Sequence, residues 1–151
     1  MLNALAVITA TVTGVMVGVE FAVVAFTSPM LLRLPPGPSL QARADGARVG
    51  GRVMPFWYFA SLILTVGLAA ATWGHAAAAW AAIAAAALLV VSVVMSLTLL
   101  VPLNNRTATW TADDHPDDWR EQARRWDRMH WARVALIIAA FVLTLVAATA
   151  A

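Results

Sequence analysis

The chain has 151 residues, of which 62% are hydrophobic and 12% are charged, whereas a soluble domain is ordinarily about 25% charged and 45–50% apolar. The net charge is +2, all ten basic residues are arginine, and no basic block is interleaved with aromatic residues, which argues against a nucleic-acid-binding protein. The absence of cysteine excludes disulfides, thiolate metal sites and cysteine nucleophiles.

Four apolar spans follow one another along the chain. They cover approximately residues 4–32, 56–73, 76–101 and 130–151, and each meets or approaches the ~20 residues that cross a hydrocarbon core. The first span is long, contains Glu20 and lacks a preceding basic segment, which argues against a cleaved signal peptide. The sequence therefore predicts one all-α domain over residues 1–151, a four-helix transmembrane bundle.

The connections between the spans are unequal in length and in charge. Only Gly74 and His75 separate the second span from the third, which predicts an antiparallel helical hairpin. Two long loops, residues 33–55 and 102–129, lie on the other side and contain nine of the ten arginines. The positive-inside rule then places both loops in the cytoplasm and both termini outside, in a multi-pass protein of the inner (plasma) membrane.

Both long loops contain local helix signals. Residues 39–48 are predicted to form a short amphipathic helix that is capped by Ser39 and ends at the two glycines of residues 50–51. In the second loop, Asp117 or Asp118 is expected to cap the last helix.

Several polar groups converge on the cytoplasmic leaflet. Glu20 lies roughly 12 Å inside the cytoplasmic end of the first span, at about 1.5 Å per residue. His130 and Arg133 open the fourth span from the same side, and Asn104 and Asn105 follow the third span there. Since ionisable groups inside a membrane are costly unless they are paired or used, a cavity between the helices that is open to the cytoplasm is expected here.

A helical stripe of aromatic and basic residues leads into the last span. Trp119, Trp126, His130 and Arg133 are spaced 7, 4 and 3 residues apart, which places all four within an arc of about 60° on a helix. The other tryptophans are expected to lie in the interfacial belts. Trp119 and Trp126 share the helix face of His130, although they could also pack against the first loop.

Each of these features also has a purely structural interpretation. Glu20 and Arg133 could form an ion pair that locks the bundle, and His130 could be bonded to a backbone carbonyl at the start of its helix. His115 lies among four acids, a composition typical of metal clusters, but a solvated turn is favoured. The small residues at both ends of residues 14–18 indicate a close helix approach.

The segment of residues 101–133 carries a family resemblance. It contains the pattern Pro-x-Asn-Asn at 102–105, then a tryptophan, then Trp-x-x-x-His-x-x-Arg at 126–133. This layout resembles the anthrone-oxygenase-like family of small four-helix membrane proteins. The resemblance implies an oxidoreductase, a monooxygenase-like enzyme that uses dioxygen to convert the activated carbon of a lipophilic anthrone to the quinone carbonyl.

The resemblance and the membrane depth of Glu20 together give the candidate site. The candidate catalytic residues are Glu20, Asn104, Asn105, His130 and Arg133, and the candidate substrate-binding residues are Trp119 and Trp126. As hypotheses, His130 would act as the general base, Arg133 or Asn104 would stabilise the developing oxyanion, and the tryptophans would stack on a flat substrate.

The sequence leaves the cofactor and the function class open. If a transition metal such as copper or iron is bound, His130 and Glu20 become its candidate ligands; otherwise the carbanion reacts with dioxygen without a cofactor. The competing interpretation is non-enzymatic: a small scaffold, a partner subunit or a lipophile-binding protein. A transporter is disfavoured because one four-helix unit offers little for alternating access, unless it assembles as a homo-oligomer. The expected environment is the lipid bilayer, with no nucleic-acid partner.

Overall fold

Four long helices form the protein. The computed structural model describes residues 1–150, and the helices are α1 (Leu2–Arg33), α2 (Pro36–Ala71), α3 (Ala76–Thr107) and α4 (Trp119–Thr149). Each is long and apolar enough to cross a membrane, and no β-strand occurs in the described part of the chain. The predicted all-α, four-helix membrane bundle is confirmed.

The helices pack as a closed ring. Each one contacts its neighbour in sequence, and α1 also packs on α4, whereas the diagonal contact between α2 and α4 is slight. The inward face of α3 consists largely of alanine, with Ala78, Ala82 and Ala85 fully or almost fully buried. Small side chains let helix backbones approach closely, which explains the extensive packing of α3 against α4.

The predicted first loop, residues 33–55, is helical instead. Only Leu34 and Pro35 interrupt the helix between α1 and α2, and α2 continues through both glycines of residues 50–51 and through Pro55. The reason is an amphipathic stripe at helical spacing, because Leu40, Ala44 and Ala47 are all buried. Burial of this stripe outweighs the low helix propensity of glycine and proline.

The predicted cap at Ser39 is also wrong. Ser39 lies inside α2, and Pro35 holds the N-cap position with no side-chain hydrogen bond. The Ser39 hydroxyl donates instead to the carbonyl oxygen of Leu31 at 2.7 Å. This bond fastens the sharp turn between α1 and α2.

The second predicted loop is shorter than residues 102–129. Since α3 extends to Thr107 and α4 begins at Trp119, only residues 108–118 connect them. Asp118 holds the N-cap position as predicted, but its carboxylate accepts from the Gln122 side chain at 2.8 Å rather than from a backbone N–H. We call the end of the bundle that carries this connection the loop end.

Two of the helices contain a π-helical turn near a proline. The first π turn is Val23–Thr27 and the second is Ser96–Leu100. Pro29 and Pro102 follow them by two residues. Proline has no N–H and its ring collides with the carbonyl four residues earlier, so the wider turn relieves that collision. Both turns lie between the centre of the bundle and the loop end.

Candidate functional site

A carboxylate, an imidazole and a guanidinium meet inside the bundle. Glu20 on α1 places its Oε2 2.6 Å from Nε2 of His130 and 2.8 Å from an amino nitrogen of Arg133, both on α4. Their exposed fractions are 3% for Glu20, 1% for His130 and 9% for Arg133. The three-residue spacing on α4 sets both partners on one helix face. The ion pair between Glu20 and Arg133 that the sequence suggested is present.

The contacts determine which nitrogen of His130 carries a proton. A carboxylate 2.8 Å from a guanidinium is in its ionised form, so its oxygen accepts the Nε2–H of the imidazole. In the neutral form of the ring, the lone pair is then on Nδ1. That nitrogen is buried and has no hydrogen-bond partner among residues 1–150, and the same holds for Oε1 of Glu20.

Arg133 is held from several sides. One amino group donates to Oγ of Ser96 at 3.0 Å while the other faces Glu20. The guanidinium carbon also lies 5.3 Å from the ring centroid of Tyr58, within the range of a cation–π contact. These contacts draw α1, α2, α3 and α4 together at one level of the bundle.

Two buried hydroxyls complete this level. Tyr58 on α2 is a neighbour of both Glu20 and Ser92, and Ser92 on α3 is one helical turn before Ser96. Neither the Tyr58 nor the Ser92 hydroxyl has a hydrogen-bond partner within the described residues. The polar level therefore contains unsatisfied donors beside unsatisfied acceptors. We call Glu20, Tyr58, Ser92, His130 and Arg133 the polar layer.

The two candidate tryptophans are in different places. The Trp126 ring lies perpendicular to the His130 ring, with centroids 4.5 Å apart. Trp119 is instead buried in a cluster with Leu40 and Trp110 at the loop end. The structure thus brings Trp126 to the imidazole and uses Trp119 to pack the connection.

The two asparagines lie outside the polar layer. Asn104 donates to the carbonyl oxygen of Ala47 at 3.2 Å and so fastens α3 to α2. It is eight residues beyond Ser96, about 12 Å along a helix. Asn105 is exposed. The structure therefore does not bring either residue into hydrogen-bonding contact with His130.

A second ion pair lies nearer the loop end. Arg43 on α2 faces Asp127 on α4 at 3.6 Å and donates to the carbonyl oxygen of Ser28 at 3.3 Å. Asp127 follows Trp126 directly, so this pair lies just beyond the imidazole. It fastens the first half of α2 to α4 on the loop-end side of the polar layer. Glu20 and His130 are buried there, rather than open to the cytoplasm as the sequence predicts.

The donor set does not fit a resident copper or iron ion. Among residues 1–150 no group of three or more histidine, cysteine, aspartate or glutamate side chains could hold a metal. The two candidate ligands, Glu20 and His130, already share Oε2 and Nε2 with each other. The Arg133 cation, 2.8 Å from the same Oε2, repels a second cation. His115 bonds to the carbonyl oxygen of Thr111, as expected for a turn.

Three residues that form or support this site were not predicted from the sequence. Tyr58 is the only tyrosine of the chain and lies in an otherwise apolar span, which was a usable signal. Ser92 and Ser96 are four residues apart in an apolar helix, which places both hydroxyls on one face. Their partners across the bundle could not be deduced, because that requires the relative rotation of the helices.

Comparison with known proteins gives one match. The model of the anthrone oxygenase family matches residues 46–143, about two-thirds of the chain, and this range includes Tyr58, Ser92, His130 and Arg133 but not Glu20. No curated protein matches the chain significantly. No solved structure does so either.

Proposed function

This chain belongs to the anthrone oxygenase family, and we propose that it is an integral membrane oxygenase that oxidises a lipophilic carbon acid of the anthrone type with dioxygen. The observation that carries the proposal is the free Nδ1 of His130, a buried basic nitrogen whose ring is oriented by a carboxylate. In this proposal the loop end faces the cytoplasm, where most arginines lie, and both termini are outside.

The imidazole and its two partners act as one unit in this proposal. Nδ1 of His130 removes a proton from the activated methylene, and the Glu20 carboxylate stabilises the imidazolium that forms, as in other carboxylate–histidine pairs. Arg133 keeps Glu20 ionised and in place through its 2.8 Å contact. The arrangement favours proton transfer at one nitrogen only.

The remaining steps need no reductant. The carbanion transfers an electron to dioxygen, and recombination forms a carbon–oxygen bond. The resulting peroxide anion takes up the proton held by His130. Loss of the second methylene proton, with cleavage of the O–O bond and departure of hydroxide, leaves a carbonyl group. Overall, one CH₂ group and one dioxygen molecule give one C=O group and one water molecule.

The surroundings of His130 suit a flat aromatic substrate. The Trp126 ring stands edge-on to the imidazole, and aromatic rings pair favourably in stacked or edge-to-face arrangements. We therefore assign Trp126 to substrate binding. Trp119 is assigned to packing of the loop end, because it is buried with Leu40 and Trp110.

The test is the variant His130→Gln, which removes the basic nitrogen but keeps a side chain that can donate to Glu20. Oxygen uptake with anthrone is measured in detergent or nanodiscs. The rate is expected to fall by about 10²–10⁴-fold, the usual contribution of a general base, with an unchanged far-UV circular dichroism spectrum. The control His115→Gln makes the same change at the loop end and should keep the wild-type rate. A near wild-type rate in His130→Gln contradicts the proposed base.

A non-enzymatic role is the second candidate, favoured by the almost complete burial of His130 and Glu20. In this interpretation the ion pair holds the bundle together, and the protein is a scaffold, a partner subunit or a carrier of a lipophile. Two surface clefts beside Trp110, at the loop end, would then be the contact regions. Lack of anthrone-dependent oxygen uptake by the wild type, together with function retained in His130→Ala, would favour this candidate.

A further inference from the structure

Two hydroxyl groups are buried without partners near Glu20 and Arg133. Tyr58 is 5% exposed and Ser92 is fully buried, and no hydrogen-bond partner for either hydroxyl is found in residues 1–150. A buried polar group without a partner destabilises a protein by about 1–3 kcal/mol, and native proteins contain few of them. Two at one place indicate a group that binds there.

The two hydroxyls lie beside the partners of the base. Tyr58 neighbours Glu20 and Ser92, and the Arg133 guanidinium lies against its ring. On the side away from the loop end, the polar layer meets a cluster of buried apolar side chains. The members of that cluster with no exposed surface are Met16, Leu89 and Ile137. Tyr58 is itself a member of that cluster, so a further polar partner for its hydroxyl can come only from the polar layer or from a ligand bound there.

The unpaired groups of the polar layer are of two kinds. The unsatisfied Nδ1 of His130 and Oε1 of Glu20 are acceptors, whereas the hydroxyls of Tyr58 and Ser92 can donate. The amino groups of Arg133 already donate to Glu20 and to Ser96. A carbon acid needs a base at its C–H bond and donors at the oxygen onto which the charge moves. The Nε–H groups of Arg133 and Trp126 are further unpaired donors, but the two hydroxyls are neighbours of each other and can therefore reach one oxygen.

We infer that the hydroxyls of Tyr58 and Ser92 bind the ketone or phenol oxygen that is conjugated with the reacting carbon of the substrate. The catalytic part of this inference rests on the proposed function; the binding part does not. The two bonds strengthen as negative charge develops on that oxygen. They also select against a hydrocarbon of the same shape, since it would leave both hydroxyls unpaired.

The experiment compares two ligands that differ in the oxygen. Anthrone and 9,10-dihydroanthracene share three rings and a reactive methylene, but only anthrone has the carbonyl group. Their affinities are measured without oxygen from the quenching of tryptophan fluorescence. The wild type should prefer anthrone by at least about tenfold, the effect of one buried hydrogen bond. Tyr58→Phe should reduce this preference to near unity and lower the oxygen-uptake rate at least about tenfold.

A matched control removes a different hydroxyl. Thr13 is also buried without a hydrogen-bond partner within the described residues, but it lies two helical turns from Glu20, about 10 Å along α1. Thr13→Val should keep the wild-type ligand preference and rate. If Tyr58→Phe does not fold, the ratio of the affinities for anthrone and 9,10-dihydroanthracene is measured in Ser92→Ala instead.

The outcomes separate this inference from the proposed function. An unchanged ligand preference in a folded Tyr58→Phe protein, or an equal loss of affinity for both ligands, overturns the inference and indicates that Tyr58 has only a structural role. A wild type that binds both ligands equally overturns it too. If the wild type takes up no oxygen, but Tyr58→Phe removes the preference for anthrone that the wild type shows, the oxygenase proposal fails and the binding site stands.

Discussion

The ion pair between Glu20 and Arg133 gives the sharpest stability prediction. Glu20→Gln keeps the size of the side chain but removes the negative charge, so it leaves the buried Arg133 guanidinium without a counterion. Removal of one member of a buried pair typically lowers the free energy of unfolding by about 3–5 kcal/mol. We expect a loss in this range, because the two groups are 2.8 Å apart and Glu20 is 3% exposed.

A surface ion pair of the same chain supplies the control for this prediction. Asp45 and Arg48 are only 2.6 Å apart, closer than the buried pair, but their side chains are 60% and 46% exposed. Exposed pairs contribute about 0–1 kcal/mol, so Asp45→Asn should have little effect. Stability is measured by SDS titration of the protein in mild detergent, followed by far-UV circular dichroism.

A double substitution tests the reasoning more strictly. If Glu20→Met and Arg133→Met each lower the free energy of unfolding by about 3–5 kcal/mol, additivity predicts a loss of about 6–10 kcal/mol for the pair. We expect the double variant to lose less than either single variant, because no uncompensated charge is left. A loss below about 1 kcal/mol in Glu20→Gln, or additive losses in the double variant, would refute this account.

Further predictions concern packing, the second ion pair and the metal content. A Cβ atom at Gly14 would lie 3.0 Å from the ring of Phe141, whereas one at Gly18 meets nothing within 4 Å. Gly18→Ala should therefore stabilise α1 by up to about 1 kcal/mol, and Gly14→Ala should not. Thermal unfolding of the two variants measures this difference. Asp127→Asn should destabilise less than Glu20→Gln, by about 1–3 kcal/mol, because its pair with Arg43 spans 3.6 Å; an equal loss in the same titration would contradict this. Elemental analysis of the purified protein should find no stoichiometric copper or iron, and a stoichiometric metal would overturn our interpretation of the donor set.

The polarity of the sequence was sufficient to predict the class of the fold and one contact across it. Apolar length alone gives four spans, and the depth of Glu20 in the membrane predicts a basic partner from the same leaflet. The three-residue spacing places His130 and Arg133 on the same face of one helix. These inferences hold because the cost of burying a charge depends little on the detailed packing.

The boundaries and the remaining site residues required the tertiary structure. Two glycines and Pro55 are local signals for a loop, but burial of the stripe through Leu40 keeps α2 continuous. Trp119 does share the helical face of His130, but it lies 11 residues earlier, about 16 Å along α4, where it packs against Leu40 and Trp110. Tyr58 reaches the polar layer only because of how α2 is rotated against α1 and α3, and a single sequence does not define that rotation.

The two π turns shift the phase of the helices that contain them. Glu20 and Ser28 are eight residues apart, about 80° on a regular α-helix, but both are buried. Ser92 and Leu100 are also eight apart and both buried. Because a π turn absorbs one additional residue, each pair is aligned as if it were seven apart, within about 20°. Deletion of one residue within either turn would therefore keep both inward faces in register. The same deletion in a regular stretch would rotate everything beyond it by about 100°.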